Sequence, residues 1–530
     1  KYKRDKRYLC YESSTNSGKI FSVNRLNPDN FVMYANKKDK GLRNAMINRI
    51  LVYVLPLAFL AACSNGDGDT YSDGLDDAGQ SFVTADCELA ETPPSRLFLQ
   101  QLSDRSVMVK WRGDAESLCY SMDGKNTYSA PAVSGDGDHK EASISSLLAD
   151  TVYYYAVGGD VDVNTAARFK TAPETGSMPA DGSVKIWIVG DSGKATEAAD
   201  AVNKGFEDYF ASTGDNTLDM LLMLGDNAYD DGTDEEFQTT FFDRFTDVLL
   251  STPVWATVGN HEMGASGFSI AADELEYAPL IKDGIEYEGM PFFDIFSFPT
   301  AGEQGGIASG TEQYFSFNYG NVHVVNLDSQ LAARDAEQMA DMKQWFIDDM
   351  TATLSAGKIH WTIVMFHHPV YTKGGHDSDD GDHIFENYDR PMLDMREQFV
   401  PLFDQYGVDL VYNGHDHFYE RSYYLQGHTG LSSTFDPALH AQLNAAGDAT
   451  SGRGKEAYKQ ITESGEDDRV VYTVAGSSGK LTLTDDPMHP AHLLRTTEMG
   501  SVLLDVTENQ LDARFILSDG SVGDHFTLTR

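Results

Sequence analysis

The chain has 530 residues, 41% of them apolar and 23% charged, which gives enough apolar mass for a large core and, at this length, roughly two to four domains. Its 82 acidic residues against 40 basic ones leave a formal net charge of -42, which excludes the basic footprint of a nucleic-acid-binding protein. So acidic a surface also repels phosphate at long range, so a phosphate site here needs its own positive charge, which metal ions supply; a solubility adaptation accounts for much of the acidity equally well.

At the N-terminal end, Arg43 and Arg49 flank Met46, and an uncharged apolar run from Ile50 to Ala62 stops at Cys63. The run contains Pro56 and is too short to cross a bilayer, so it reads as the apolar region of a signal peptide. Leu60-Ala61-Ala62-Cys63 resembles the bacterial lipobox. That resemblance implies a lipid on Cys63, removal of 1–62, and an exported cell-envelope lipoprotein, periplasmic or at the cell surface, touching the membrane only through its lipid. Met46 is then the expected start and 1–45 upstream sequence. From Cys63 onward 28 basic residues face 78 acidic ones, and residues 63–87 read as an acidic, solvated tether. Cys10 goes with the leader and Cys63 takes the lipid, which leaves Cys87 and Cys119. An exported compartment allows these two a disulfide, with two reduced core cysteines as the alternative.

Residues 88–172 carry short alternating runs separated by turn residues: Arg96–Leu99, Val107–Trp111, Ala142–Ile144, Val152–Val157 and Ala167–Thr171. This is the spacing of a β-sandwich. Pro93-Pro94, the central Trp111, the string from Leu147 to Tyr155 and the closing Phe169-Lys170-Thr171 resemble a fibronectin type III domain, which implies a spacer. A hinge follows from Pro173 to Pro179, and strands then alternate with helices over 180–530, the pattern of an α/β layered body. Buried strands are expected at Val184–Val189, Met220–Leu224, Val254–Val258, Val322–Leu327, Trp361–Phe366 and Leu410–Tyr412. Val470–Val474, Val502–Val506 and Leu511–Leu517 read as a second set.

Five short strings follow those strands: Gly190-Asp191-Ser192-Gly193, Gly225-Asp226-Asn227-Ala228-Tyr229, Gly259-Asn260-His261-Glu262, Phe366-His367 and Gly414-His415-Asp416-His417. Singly each is weak, since a Gly-Asp after a strand is usually a turn and a lone histidine is usually structural. Together they set carboxylate, amide, phenol and imidazole groups beyond the C-terminal ends of strands, where open α/β sheets bind ligands. Hard oxygens with imidazoles suit iron, manganese or zinc, and the donors outnumber the needs of one tetrahedral ion. A dinuclear site, with a carboxylate bridging the pair, fits better.

This ordered set resembles the calcineurin-like metallophosphoesterases, and among them the purple acid phosphatases, over 183–530. The resemblance implies a four-layer α/β/β/α sandwich behind the fibronectin-like sandwich. Many relatives carry Asp-x-His in the first string; here Asp191-Ser192-Gly193 lacks that histidine, and Tyr229 stands where purple acid phosphatases hold ferric iron with a tyrosinate. Carried over residue by residue, Asp191, Tyr229 and His417 bind the first metal, Asp226 bridges, and Asn260, His367 and His415 complete the second. The cofactors so implied are Fe(III) and a divalent zinc, manganese or iron. His261 resembles the histidine that contacts phosphate, with Glu262 orienting it, and His376 the loop histidine that assists the leaving group. His383 is a weaker candidate, His368 is expected on the opposite strand face as a structural residue, and 377–382 reads as a solvated acidic loop, with a calcium site as the alternative. Tyr314–Gly320 is expected to form a hairpin with Val322–Ser329, and Tyr419-Glu420-Arg421 to brace its loop by an internal ion pair.

The implied activity is hydrolysis of phosphate monoesters by metal-bound hydroxide on a small-molecule substrate, with no bearing on oligomeric state. Two alternatives stay open: a phosphodiesterase or nucleotide hydrolase on the same site, and a non-catalytic surface binding protein.

Overall fold

Period-two burial builds the first part of the molecule. The computed structural model describes residues 87–215, 217–263, 290–379, 389–460 and 469–530; the apolar run, Cys63, the tether up to residue 86 and His383 lie outside them. Eight strands fill 95–170: β1 (Ser95–Gln100), β2 (Val107–Arg112), β3 (Ser117–Ser121), β4 (Tyr128–Pro131), β5 (Val133–Ser134), β6 (Lys140–Ile144), β7 (Val152–Val157) and β8 (Arg168–Lys170). They form two four-stranded sheets, β1-β2-β6-β5 and β4-β3-β7-β8. In β7 Tyr153, Tyr155 and Val157 are buried while the residues between them are not, the alternation of a strand with one solvated face. Trp111, Leu118 and Phe169 share the same core. A disulfide joins Cys87 to Cys119 of β3.

Two seven-stranded sheets form the rest. The first runs β11-β10-β9-β20-β21-β22-β17, from β9 (Val184–Val189), β10 (Met220–Met223), β11 (Val254–Ala256), β17 (Tyr458–Lys459), β20 (Gly500–Val506), β21 (Gln510–Leu517) and β22 (Val522–Thr529). The second runs β12-β13-β14-β15-β18-β16-β19, from β12 (Phe315–Tyr319), β13 (Val322–Asn326), β14 (Trp361–Met365), β15 (Leu410–Asn413), β16 (Tyr419–Leu425), β18 (Val470–Ala475) and β19 (His492–Thr496). β12 and β13 form the expected antiparallel hairpin. The late strands are not one set: β18 pairs in parallel with β15, whereas β20 and β21 extend the first sheet antiparallel from β9.

Alternation within the second sheet fixes the layers. Val324, Ile363, Met365, Leu410, Tyr412 and Val471 enter the core shared with the first sheet. Their neighbours Val325, Val364, Val411, Val470 and Tyr472 face a second core with Met342, Phe346, Phe399 and Phe403. Those last four lie on two helices, α2 (Ala336–Ala356) and α3 (Arg390–Tyr406). On the outer face of the first sheet sits α1 (Glu197–Thr213), whose Phe206 stacks on Trp187 of β9 with ring centroids 3.9 Å apart. The order is helix, sheet, sheet, helix. Among the described residues no helix is long and apolar enough to cross a membrane.

The β-domain is locked to this body by charge. Arg96 and Arg112 both bind the Asp234 carboxylate, at 2.6 and 2.7 Å, and buried Lys110 reaches Ser297 Oγ at 2.7 Å. Elsewhere the expected internal ion pair of Tyr419-Glu420-Arg421 does not form. Strand alternation sends the neighbours apart: Glu420 meets Arg495 at 2.6 Å, and Arg421 meets Asp524 at 2.6 Å.

Candidate metal centre

Parallel strands bring their C-terminal ends to one edge. Just past β9, β10, β11, β14 and β15 come Asp191, Asp226, Asn260, His367 and His415. The two sheets meet there: His415 N donates to Asp191 Oδ2 at 2.8 Å, and His367 Nδ1 bonds the Leu224 carbonyl at 2.8 Å. Space at this rim is tight. A Cβ on Gly225, which has φ +91, would lie 2.5 Å from His367 Nδ1. Asp191, Asp226 and His415 also hold left-handed φ values of 54, 53 and 70, a costly conformation for such residues that concentrates at functional sites.

All seven proposed ligands converge. Tyr229 Oη lies 3.0 Å from Asp191 Oδ1, 2.9 Å from Asp226 Oδ2 and 3.2 Å from His417 Nε2. Asn260 Oδ1 lies 3.0 Å from His367 Nε2 and 2.9 Å from His415 Nδ1, and His367 Nε2 is 3.4 Å from Asp226 Oδ1. Asp226 thus touches both groups. His367 gives Nδ1–H to a carbonyl, which turns its Nε2 into the cluster, the ring orientation a metal-binding imidazole needs once that nitrogen is deprotonated.

Burial and charge decide the protonation states. Burial pushes the Asp226 carboxyl up, but His367 and His261 win and hold it well below its ordinary value. Burial opposes charge on His367, yet Asp226 raises it to about 9. Tyr229 goes well above 10, from burial first and then the Asp191 and Asp226 charges. Burial, with the His376 charge next, holds His415 well below the usual imidazole value. Asp191 and Asp226 are buried, and among the described residues their ion-pair partners are histidines alone. Two buried carboxylates without a lysine or arginine, joined by phenol, amide and imidazole donors, fit metal cations. Ligand atoms of Asp191, Asp226 and His367 lie within 4.8 Å of one another, as do those of His376, Asp389 and His415.

His261 borders the cluster. Its Nδ1 bonds the Asp230 carbonyl at 2.7 Å and its Nε2 lies 3.8 Å from Asp226 Oδ2; burial lowers its pKa. Glu262 does not orient it. The one-turn 3-10 helix His261–Met263 carries the Glu262 carboxylate inward, where it accepts from the backbone N–H groups of Asp226, Asn227 and Gly259. Burial and Asp226 raise its pKa to about 7.

His376 packs against His415 with centroids 3.9 Å apart and the rings tilted by 33°. Asp389 Oδ1 receives both His376 Nδ1 at 2.9 Å and His415 Nε2 at 3.1 Å. His368 bonds Ser329 Oγ at 2.9 Å and packs 4.4 Å from His415, not on the far face. β14 ends at Met365, so strand alternation no longer governs residue 368. In the acidic loop Asp377 pairs with Lys373, and Asp379 with Lys373 and Arg396; 380–382 lie outside the described residues. The sequence reading missed Asp389 and the loop after β18, where Thr482 Oγ1 bonds His417 Nδ1 at 3.2 Å. No motif marks either.

Residues 184–419 carry every donor named so far except Thr482, and they match the family model described as calcineurin-like phosphoesterase. This segment is similar to domains of that class. Purple acid phosphatase 18 of Arabidopsis thaliana is 25% identical over 343 residues, covering 62% of this chain and 66% of the relative. Phosphoenolpyruvate phosphatase of Allium cepa is 28% identical over 290 residues, covering 53% of this chain and 50% of the relative. The chain thus spans between half and two thirds of the length of these curated relatives. Among solved structures, purple acid phosphatase PPD1 from yellow lupin (Lupinus luteus) seeds shares the fold, with a TM-score of 0.61 at 19% identity over 83% of this chain and 75% of that one.

Proposed function

We propose that the chain is a phosphoric ester hydrolase of the purple acid phosphatase type, acting on phosphate monoesters. The observation that carries this is the meeting of Asp191, Asp226, Tyr229, Asn260, His367, His415 and His417 at one strand-end rim. In this reading Asp191, Tyr229 and His417 would hold a ferric ion, Asn260, His367 and His415 would hold a divalent one, and Asp226 would serve both. Bound there, the ions supply Lewis acidity, acidify water and draw in an anion that the acidic surface repels.

The chain's own residues do the rest. Asn260 is a neutral donor, so the site keeps the positive charge that binds phosphate. His261, on the open side of Asp226, hydrogen-bonds a phosphate oxygen. His376, held through Nδ1 by Asp389, gives a proton to the departing oxygen, as general-acid catalysis requires. Residues 88–172 act as a fibronectin type III-like spacer. Cys63 carries the lipid of an exported envelope protein, which labelling with a radioactive fatty acid in a bacterial host and its loss in Cys63→Ala would test.

The test of the activity is hydrolysis of p-nitrophenyl phosphate against bis(p-nitrophenyl) phosphate by protein reconstituted with iron and zinc or manganese. The monoester is preferred, and Asp226→Asn loses the activity. Preference for the diester makes this a phosphodiesterase; inactivity with every metal leaves only a binding protein. A visible charge-transfer band that vanishes in Tyr229→Phe identifies the tyrosinate, and a colourless active zinc enzyme rejects it.

A further inference from the structure

Two lysines lie beside the Tyr229 ring, with Lys194 Nζ 5.1 Å and Lys480 Nζ 6.0 Å from its centroid. They are not equivalent. Lys194 is ion-paired with Asp230. Lys480 is exposed and, among the described residues, makes no ion pair. It acts on the carboxylate of Asp230, which Lys194 already pairs, so Lys480 feels that charge only at longer range.

Its backbone is fixed to the metal-binding loops on both sides. Ser478 N donates to the Gly190 carbonyl at 3.2 Å, next to Asp191. Thr482 N donates to the His417 carbonyl at 3.2 Å, and the Thr482 hydroxyl meets His417 Nδ1 at 3.2 Å. Gly479 lies so close to the Asp191 backbone that a Cβ there would collide with its carbonyl. Lys480 therefore projects from a short, pinned turn beside the Tyr229 ring, on the side of Asp191, Tyr229 and His417. A phosphate seated among the ligands is served by them and by His261. The Lys480 ammonium, a compact charge with three donors on a flexible stem, is available to whatever the substrate carries beyond that phosphate.

We infer that Lys480 binds a second anionic group on the leaving portion of the substrate, so that the site selects phosphate esters and anhydrides bearing a further carboxylate or phosphate. This rests on the hydrolase reading above. The test compares kcat/KM for phenyl phosphate, 2-carboxyphenyl phosphate and ADP in the wild type, Lys480→Ala and Lys480→Arg. In Lys480→Ala the preference for the carboxylated ester or the diphosphate over phenyl phosphate falls about 5-fold or more, through KM, as loss of a charge-assisted contact implies; Lys480→Arg retains it. A fall for one probe alone tells carboxylate from phosphate. A preference within about 2-fold of wild type for both overturns the assignment. Should the metal-loaded wild type hydrolyse none of the three, the hydrolase reading fails by itself. Lys480 is then judged by calorimetry, from the affinity for pyrophosphate relative to orthophosphate in the same variants, under the same two criteria.

Discussion

The Glu262 carboxylate accepts the backbone N–H of Asp226 at 3.0 Å, so the residue beside a candidate phosphate-binding histidine serves instead as a brace under the Asp226 backbone. It also takes the N–H of Asn227 and of Gly259, both at 2.6 Å. Three donors from two loops thus converge on one buried side chain. Glu262→Ala leaves all three unsatisfied, at about 1–3 kcal/mol for each buried group before relaxation. The expected result is a loss of about 3 kcal/mol or more of stability, and metal affinity lower by 10- to 100-fold as for other residues that orient ligands. Urea unfolding with and without metal, together with metal retained after gel filtration, measures both. Wild-type values in both would remove the brace.

Asp389 joins the two sides of the site through a single oxygen, 2.9 Å from His376 Nδ1 and 3.1 Å from His415 Nε2. Asp389→Asn keeps an acceptor there but loses its charge. If His376 is the acid, activity falls about 10- to 100-fold, more for alkyl phosphates than for p-nitrophenyl phosphate, because only a poor leaving group needs a proton. An equal loss on both substrates would show that His376 is not the acid.

The Cys87–Cys119 disulfide spans 32 residues and ties the segment before β1 to β3. Closing a loop of that length stabilises by about 3–4 kcal/mol on the chain-entropy account. Reductant should lower the unfolding midpoint of the β-domain by that equivalent and leave the candidate metal centre intact, since neither cysteine touches it. An unmoved midpoint with two free thiols titrated would show that the crosslink adds nothing.

Much of this was readable from order along the chain. Asp191, Asp226, Asn260, His367 and His415 each follow a buried apolar run, and parallel strands send such positions to one edge. The layers follow from the same runs, because Val324 and Val325, or Val364 and Met365, face different cores. What failed was inference from adjacency. Glu262 follows His261 but turns under it, Glu420 and Arg421 are neighbours that face apart, and His368 lies past the end of its strand. Asp389 and Lys480 reach the site through loop paths that no periodicity encodes.

Glu312 and Lys110 form a buried charge site where the β-domain meets the body, and its pH dependence has a definite sign. Burial raises the Glu312 carboxyl to about 7, although Phe298 N–H and Lys110 favour its charged form. Lys110, at 1% exposure, is lowered by the same desolvation against Glu141 and Glu312. A carboxyl whose folded value lies above its unfolded one binds more protons in the native state. Stability therefore falls as pH rises from about 4.5 to about 7 and stays reduced above that range. The shift corresponds to at most about 3 kcal/mol. Glu312→Gln keeps an oxygen for Phe298 N–H, which donates to Glu312 Oε1 at 2.7 Å, and removes the charge. The variant should match the wild type near pH 4 and exceed it by about 1–3 kcal/mol at pH 8, measured by urea unfolding at both values. If it is instead less stable at pH 8, the ionised Glu312 is a net stabilising partner of Lys110, and the attraction outweighs the burial.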